Sequence, residues 1–112
     1  MAKLALQLPP RPAIRCIVDQ LVKSATAIGA ILEEAKAASS KREFVRYVEN
    51  ALRAARETAY WLRICAALEL TPRTETAALG GEAEQIANVL GAIVVRTKLR
   101  MRTGYAVFAF AF

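Results

Sequence analysis

The stretch that decides the fold is residues 40–65, SKREFVRYVENALRAARETAYWLRIC. Its apolar residues recur at alternating steps of four and three, which places them along one side of an α-helix. Ser40, followed three residues later by Glu43, forms a capping-box pattern in which the hydroxyl accepts a hydrogen bond from the Glu43 backbone amide. We therefore predict a helix that starts after Ser40 and runs to about Leu70, where a Thr-Pro pair ends it. The apolar stripe consists of Phe44, Val48, Ala51, Ala55, Thr58, Leu62 and Cys65.

Two further helices are predicted, one on each side of this one. Over residues 12–37 the apolar residues repeat with the same steps, from Ile14 to Ala35, and a proline in the first turn suits a helix start. Gly29 lies inside this helix at a cost of about 1 kcal/mol relative to alanine. We expect it to permit the close approach of a neighbouring helix. The last helix is predicted over residues 82–102.

The remaining segments are predicted to be short or irregular. Residues 71–81 are interpreted as a loop because they contain a proline and two adjacent glycines. Gly104 is expected to end the last helix, and the alternation of aromatic and small residues over 105–112 has the period of a strand. Residues 1–8 are predicted to form a helical stub, which the following prolines stop.

These elements predict an all-α protein, an antiparallel up-down four-helix bundle with a truncated first helix. One domain spans residues 1–103, with its first helix reduced to the stub 1–8. Residues 104–112 are an aromatic tail. We expect this tail either to be disordered or to fold back over the groove that the short first helix leaves.

The composition excludes most catalytic chemistry. The 112 residues contain no histidine, a single aspartate and no glycine-rich phosphate loop, so histidine triads, histidine metal sites and nucleotide-binding motifs are ruled out. Cys16 and Cys65 lie far apart in apolar helical stretches, which favours two small core residues over a disulfide or a metal role. We predict a cytoplasmic, non-enzymatic protein with no catalytic residue, cofactor, metal ion or membrane span.

One face of the central helix carries the residues best suited to a ligand. At 100° per residue, five arginines and a tyrosine fall within a sector of about 100° opposite the apolar side, together with Glu49. The planar guanidinium fork of arginine suits phosphate, and tyrosine can stack on an unpaired base. The net charge of +6 points the same way. We call this face the arginine stripe and predict it as a nucleic-acid-binding surface formed by Arg42, Arg46, Arg53, Arg56, Tyr60 and Arg63.

The same face has a plainer interpretation. Its arginines are equally suited to solvation, to weak pairs with Glu49 and Glu57, or to contacts between subunits. Trp61 is expected to pack in a core or an interface rather than to stack on a base. Glu57 is expected to be buried or half-buried with an arginine as its partner.

Three segments together carry a family resemblance. Residues 20–36 read QLVKSATAIGAILEEAK, residues 39–63 end in ARETAYWLR, and residues 82–98 begin EAEQIA. They are similar to the "RSxxSIGANIxEA", "KEARETRYWLRL" and "EADELIAIL" segments of the bacterial four-helix-bundle proteins first noticed in 23S rRNA intervening sequences. The positions within these motifs that we assign to packing or an interface are Gly29, Glu57, Trp61 and Leu62.

The resemblance implies small four-helix bundles that associate as ring-shaped homo-oligomers, with pentamers the known form, and no member known as an enzyme. A further relative, the accessory variability determinant of diversity-generating retroelements, is a basic pentamer that works with a reverse transcriptase and its RNA. This chain departs from the family pattern in its short first helix, in Ile31 where members have asparagine, and in its aromatic tail.

We therefore expect a homo-oligomer, a pentamer by resemblance, that binds RNA or a reverse-transcriptase-type nucleoprotein partner through the arginine stripe. The alternative is a purely structural or adaptor oligomer with no nucleic-acid binding.

Overall fold

The computed structural model describes Leu4 and residues 11–111, with side chains described as far as Thr103. Between residues 11 and 111 the chain forms three α-helices and no strand. They are α1 (Pro12–Lys36), α2 (Lys41–Ala67) and α3 (Arg73–Ala111). The predicted all-α class is confirmed. A four-helix bundle is not, because the stub predicted over residues 1–8 lies outside the described residues apart from Leu4, which is helical and buried.

α2 is the central helix, since it packs against α1 on one side and α3 on the other. Ser40 caps it as predicted: its hydroxyl accepts the Glu43 backbone N–H at 3.1 Å. The Glu43 carboxylate does not reach back to Ser40 but accepts the Ser39 hydroxyl at 2.6 Å. This hydrogen bond is the main reason that the pKa of Glu43 lies below its ordinary value.

α2 ends at Ala67, three residues before the predicted end. The Leu70 N–H donates to the Cys65 carbonyl at 3.0 Å and the Glu69 N–H to the Ala66 carbonyl at 3.1 Å, which is the Schellman arrangement of a helix C-terminus. Glu69 has φ 54°, in the left-handed region that usually holds glycine. Because it is not a glycine, this position costs about 1 kcal/mol of backbone strain.

The loop predicted over residues 71–81 is wrong, because α3 begins at Arg73 and passes through Gly80 and Gly81 without a break. Each glycine costs the helix about 1 kcal/mol. Burial of Thr76 and Ala83 on the two sides of the glycine pair favours a continuous helix, so tertiary packing outweighs the local preference.

The end predicted for the last helix is also wrong. α3 does not stop at Gly104 but continues to Ala111, so the strand-like alternation after residue 104 does not produce an extended backbone. A tail that continues α3 as a helix cannot fold back over a groove of its own chain, so that alternative is excluded for residues 104–111. The division into a domain and a tail at this point stays a prediction.

The core consists of two clusters on either side of a buried hydroxyl pair. Thr58 Oγ1 lies 3.1 Å from Ser24 Oγ and 2.8 Å from the Ala54 carbonyl oxygen, which links α2 to α1 inside the bundle. The first cluster contains Ala35, Val45, Val48, Ala51, Leu90 and Val94. The second cluster contains Leu4, Leu21, Leu62 and Cys65.

α1 and α3 do not pack closely against each other. Among the described residues no Cα atom of α1 lies within 8 Å of one of α3. A groove of about 480 Å³ runs between them. We call it the α1–α3 groove; its lining residues are Leu32, Glu82, Gln85, Ile86, Val89 and Leu90.

Gly29 was expected to bring a neighbouring helix close, and within the described chain it does not. It is exposed, and a Cβ added to it would meet nothing within 4 Å. The glycine therefore has no packing role among the described residues, and its place in an interface between chains stays a prediction.

Candidate nucleic-acid interface

The arginine stripe lies on the solvent side of α2. Its six residues are all exposed, and those of α2 that face the core are buried, including Ala51, Ala55 and Leu62. From Arg42 to Arg63 the helix rises about 32 Å at 1.5 Å per residue. The heptad spacing of α2 thus separates an apolar face from a basic face, as the sequence predicts.

Tyr60 and Arg63 form the best-defined contact on the stripe. The Arg63 guanidinium carbon lies 6.0 Å from the centre of the Tyr60 ring, which is at the outer limit of a cation–π contact. Tyr60 meets Trp61 edge to face, with ring centres 5.1 Å apart and planes at 75°. The Tyr60 side chain is 47% exposed, so it is accessible to a stacking ligand.

The stripe arginines have no carboxylate partner within the described chain. The ion pairs there join Lys36 to Glu33 and Lys98 to Glu49, each at 3.0 Å. The expected pairing of Glu49 with neighbouring arginines is therefore replaced by a bridge to α3. Arg53 Nη1 donates to the neutral Asn50 Oδ1 at 3.4 Å. The guanidinium charges of the stripe are therefore not neutralised by a carboxylate of the described chain.

Glu57 is not buried or half-buried as expected, and no arginine pairs with it among the described residues. A pair with an arginine of a neighbouring subunit stays a prediction. Glu57 is exposed, and its carboxylate accepts the Trp61 Nε1–H at 3.3 Å. Trp61 is half-buried against the cluster that contains Leu21 and Leu62. Leu62 itself is 1% exposed and lies fully inside this cluster. Within the segment 55–63, ARETAYWLR, Leu62 thus lies in the core, and Glu57 and Trp61 lie at the edge of the core.

The N-terminal part of the arginine stripe lies beside Lys98 of α3, whose charge is paired with Glu49. Arg42 and Arg46 border a cavity of about 320 Å³ together with Glu49, Lys98 and Met101. The sequence crowds basic residues over 96–102. They do not lie at the end of the helix, because α3 continues for nine more residues and the dipole effect is confined to the last turn.

Acidic and cysteine side chains are the candidates for a metal site in the described residues. No group of three or more His, Cys, Asp or Glu residues among them could hold a metal ion. Cys65 is buried, and burial raises the pKa of its thiol. Cys16 is exposed, so the expectation that both cysteines are core residues fails for this one. None of the described helices is both long and apolar enough to cross a membrane.

The comparison with protein families decides the identity. The family model described as 23S rRNA-intervening sequence protein matches residues 2–92, most of the chain. This chain belongs to the 23S rRNA-intervening sequence protein family. The resemblance carried by residues 20–36 and 39–63 is thereby confirmed. The arginine stripe lies wholly inside the matched region, whereas the last 19 helical residues of α3 lie beyond it.

A solved structure places the chain in the same group. This chain is similar to a crystal structure from Bacteroides thetaiotaomicron, described as a protein with unknown function from the S23 ribosomal protein family. The two are 31% identical with a TM-score of 0.68, over 70% of this chain and 72% of the other. No curated protein matches this chain. The family and the all-helical fold are thus established.

Proposed function

We propose that this protein is a non-enzymatic homo-oligomer that binds RNA through the arginine stripe of α2. The observation that carries the proposal is the line of five exposed arginines without carboxylate partners along one helix face. Unpaired guanidinium groups bind phosphate oxygens in a bidentate way, and they lose little on binding because no internal ion pair has to be broken.

The stripe suits single-stranded or irregular RNA better than a base-specific site. Its cations run along a straight helix, and Tyr60 offers an exposed aromatic ring for stacking. Binding is therefore dominated by the phosphate backbone, with weak sequence preference and a steep dependence on salt.

The test is a triple variant, Arg46→Ala/Arg53→Ala/Arg56→Ala, titrated with single-stranded RNA at two salt concentrations. We expect affinity to fall by at least tenfold at low salt and the salt slope to decrease by about two, since each lost phosphate contact on a single strand removes about 0.7. The matched control, Arg11→Ala/Arg15→Ala/Lys23→Ala, removes the same charge from two exposed positions of α1 and from the exposed residue that precedes it.

The control separates a local site from general charge. Equal losses of affinity in the two triple variants would contradict the stripe as the binding surface, and unchanged affinity in the stripe variant would exclude it. Native mass is measured on the same samples. If the stripe variant changes mass while the unmodified protein binds no RNA, the arginines serve contacts between subunits, which is the structural or adaptor alternative.

A further inference from the structure

A cleft runs along the contact between α2 and α3, next to the arginine stripe. It has two adjoining parts of about 580 Å³ and 370 Å³, and Ala59, Arg63 and Glu84 line both of them. Ligand pockets in proteins have volumes of about 300–1,000 Å³, so each part is large enough for a small planar group. We call this cavity the α2–α3 cleft. Alanine and glycine make up most of its lining.

The α2–α3 cleft is a different surface from the α1–α3 groove. The described residues that line it all belong to α2 or α3. Glu84 of the cleft and Glu82 of the groove lie about 160° apart around α3 at 100° per residue. Leu4, the described residue nearest the N-terminus, packs in the cluster that contains Leu21 of α1. The cleft is therefore formed by the α2–α3 pair alone.

The glycine pair of α3 lies in the wall of this cleft. Gly80 and Gly81 line its larger part, and a Cβ added at either would meet nothing within 4 Å. Each glycine costs the helix about 1 kcal/mol relative to alanine, and no described neighbour requires a residue without a side chain at these positions. A larger residue at either position would project into the open space of the cleft.

The charged residues of the cleft are three arginines and one glutamate. Arg56 and Arg63 belong to the arginine stripe, and Arg73 is the first residue of α3. The ion pairs of the described chain involve neither these arginines nor Glu84. The cleft is thus cationic at its edges, continuous with the stripe, and supplied with one carboxylate that accepts hydrogen bonds.

We propose that the α2–α3 cleft binds one unstacked guanine of an RNA strand that lies on the arginine stripe. The inference rests on the proposed RNA binding, and it adds a preference for one base to contacts that are otherwise made with phosphates. Proteins that recognise RNA sequence bind bases splayed out from single strands, stack them on aromatic or guanidinium planes, and form hydrogen bonds with their edges.

The carboxylate of Glu84 selects the base. Guanine presents two N–H donors side by side, at N1 and at the N2 amino group, so one carboxylate accepts both. Adenine and cytosine each present one amino group beside a ring nitrogen that only accepts. Uracil presents its single donor between two carbonyl oxygens, which a carboxylate repels. Glu84 therefore favours guanine and disfavours uracil most strongly.

The other residues of the cleft suit the rest of the nucleotide. The alanine and glycine wall offers an apolar surface to one face of the base. Arg73 lines the same part of the cleft as Glu84, and its guanidinium can stack on the base or bind a phosphate. Arg63 lies 6.0 Å from the ring of Tyr60, so a base next to the bound guanine can stack on the tyrosine.

The first test compares uridine oligomers of about eight nucleotides, within the usual range of single-strand site sizes, that carry one guanosine, inosine, adenosine or uridine at a central position. Fluorescence anisotropy at one low salt concentration gives the affinities. We expect the guanosine oligomer to bind at least about fivefold more tightly than the all-uridine one, as a bidentate contact to a base discriminates by this factor or more. Inosine lacks the N2 amino group and should bind more weakly than guanosine.

The variant Glu84→Gln isolates the carboxylate. We expect it to reduce the preference for guanosine to less than about twofold. Its affinity for the all-uridine oligomer should stay equal or rise, because a negative charge is removed. The matched control, Glu82→Gln, removes the same charge from the α1–α3 groove and should keep the preference. Loss of the preference in both variants, or in neither, overturns the proposal.

The variant Gly80→Leu fills the cleft without changing a charge. It should lose the preference for guanosine while the midpoint of thermal unfolding rises, since leucine favours a helix more than glycine does and meets no neighbour there. The control Gly91→Leu changes another glycine of α3 that has equally open space and does not line the cleft. It should keep the preference. A change of native mass in Gly80→Leu would make the cleft a contact between copies of this chain and overturn the proposal.

The cleft and the proposed RNA binding fail in different ways. If the unmodified protein binds all four oligomers equally and the stripe variant still loses affinity, the guanine site is overturned and the RNA binding stands. If the unmodified protein binds none of the oligomers, both are overturned.

Discussion

The α1–α2 interface and the α1–α3 groove show how differently one helix meets its two neighbours. Toward α2, Leu21 is completely buried and the hydroxyls of Ser24 and Thr58 meet at 3.1 Å. Toward α3, no Cα atom lies within 8 Å and Ile86 remains 40% exposed. Both surfaces are apolar in sequence, so hydrophobicity alone does not decide which one closes. What differs is the run of buried alanines on α2, which lets the two backbones approach.

The largest effect that separates the two surfaces is expected for Leu21→Ala. Leu21 is 0% exposed beside Leu62 and Cys65, so its truncation leaves a cavity and lowers the free energy of unfolding by about 2–5 kcal/mol. The same truncation in the groove, Ile86→Ala, should cost less than about 1 kcal/mol, because the side chain is already partly in water. Urea unfolding of both variants measures the difference. Equal losses would mean that the groove is as closed as the α1–α2 interface.

A smaller effect is expected for the buried hydroxyl pair. Thr58→Val keeps the shape of the side chain and removes the hydroxyl that meets Ser24, whose own hydroxyl still donates to the Leu21 carbonyl at 3.1 Å. Stability should therefore fall by about 0.5–1.5 kcal/mol. The double variant with Ser24→Ala should lose less than the sum of the single losses. Thr26→Val is the matched control, since the Thr26 hydroxyl is exposed and bonds only to its own helix. Additive losses would show that the pair does not couple α1 to α2.

The smallest effect lies at the turn between α1 and α2, outside both surfaces. The Ser39 hydroxyl holds the pKa of Glu43 below its ordinary value, so the folded pKa is lower than the unfolded one. This contribution is present above the unfolded pKa and is lost as the pH falls through the folded pKa. Ser39→Ala should raise the pKa of Glu43 toward the ordinary value in an NMR titration. A carboxyl that titrates unchanged would assign the shift to another group.

The sequence was most informative at helix ends, where a few neighbouring residues determine the start or the end of the helix. Pro12 and Ser40 begin α1 and α2 where their patterns predict, because a proline in the first turn and a serine cap each satisfy an end of the helix locally. The exposure of the arginine stripe follows from the heptad spacing of apolar residues in α2. A residue opposite the buried apolar stripe faces solvent, regardless of which helix packs against that stripe.

The sequence was least informative where tertiary contacts overrule a local cost. The glycines at 80, 81 and 104 looked like breaks, and α3 passes through all of them. The ion pair between Glu49 and Lys98 depends on how α2 and α3 are aligned along each other. The sequence of either helix alone does not predict that alignment. Glu57 looked like a buried charge because it stands in an apolar run, yet its side chain turns outward to the Trp61 ring nitrogen.

The glycine pair inside α3 also has a consequence for motion. Gly80 and Gly81 lie in open space, since a Cβ added at either would meet nothing within 4 Å. Residues 73–79 are therefore joined to the rest of α3 at the point where helix formation is least favourable. Amide hydrogen exchange should open residues 73–81 as a unit before the rest of α3, and alanine at position 80 should slow that opening about threefold to fivefold.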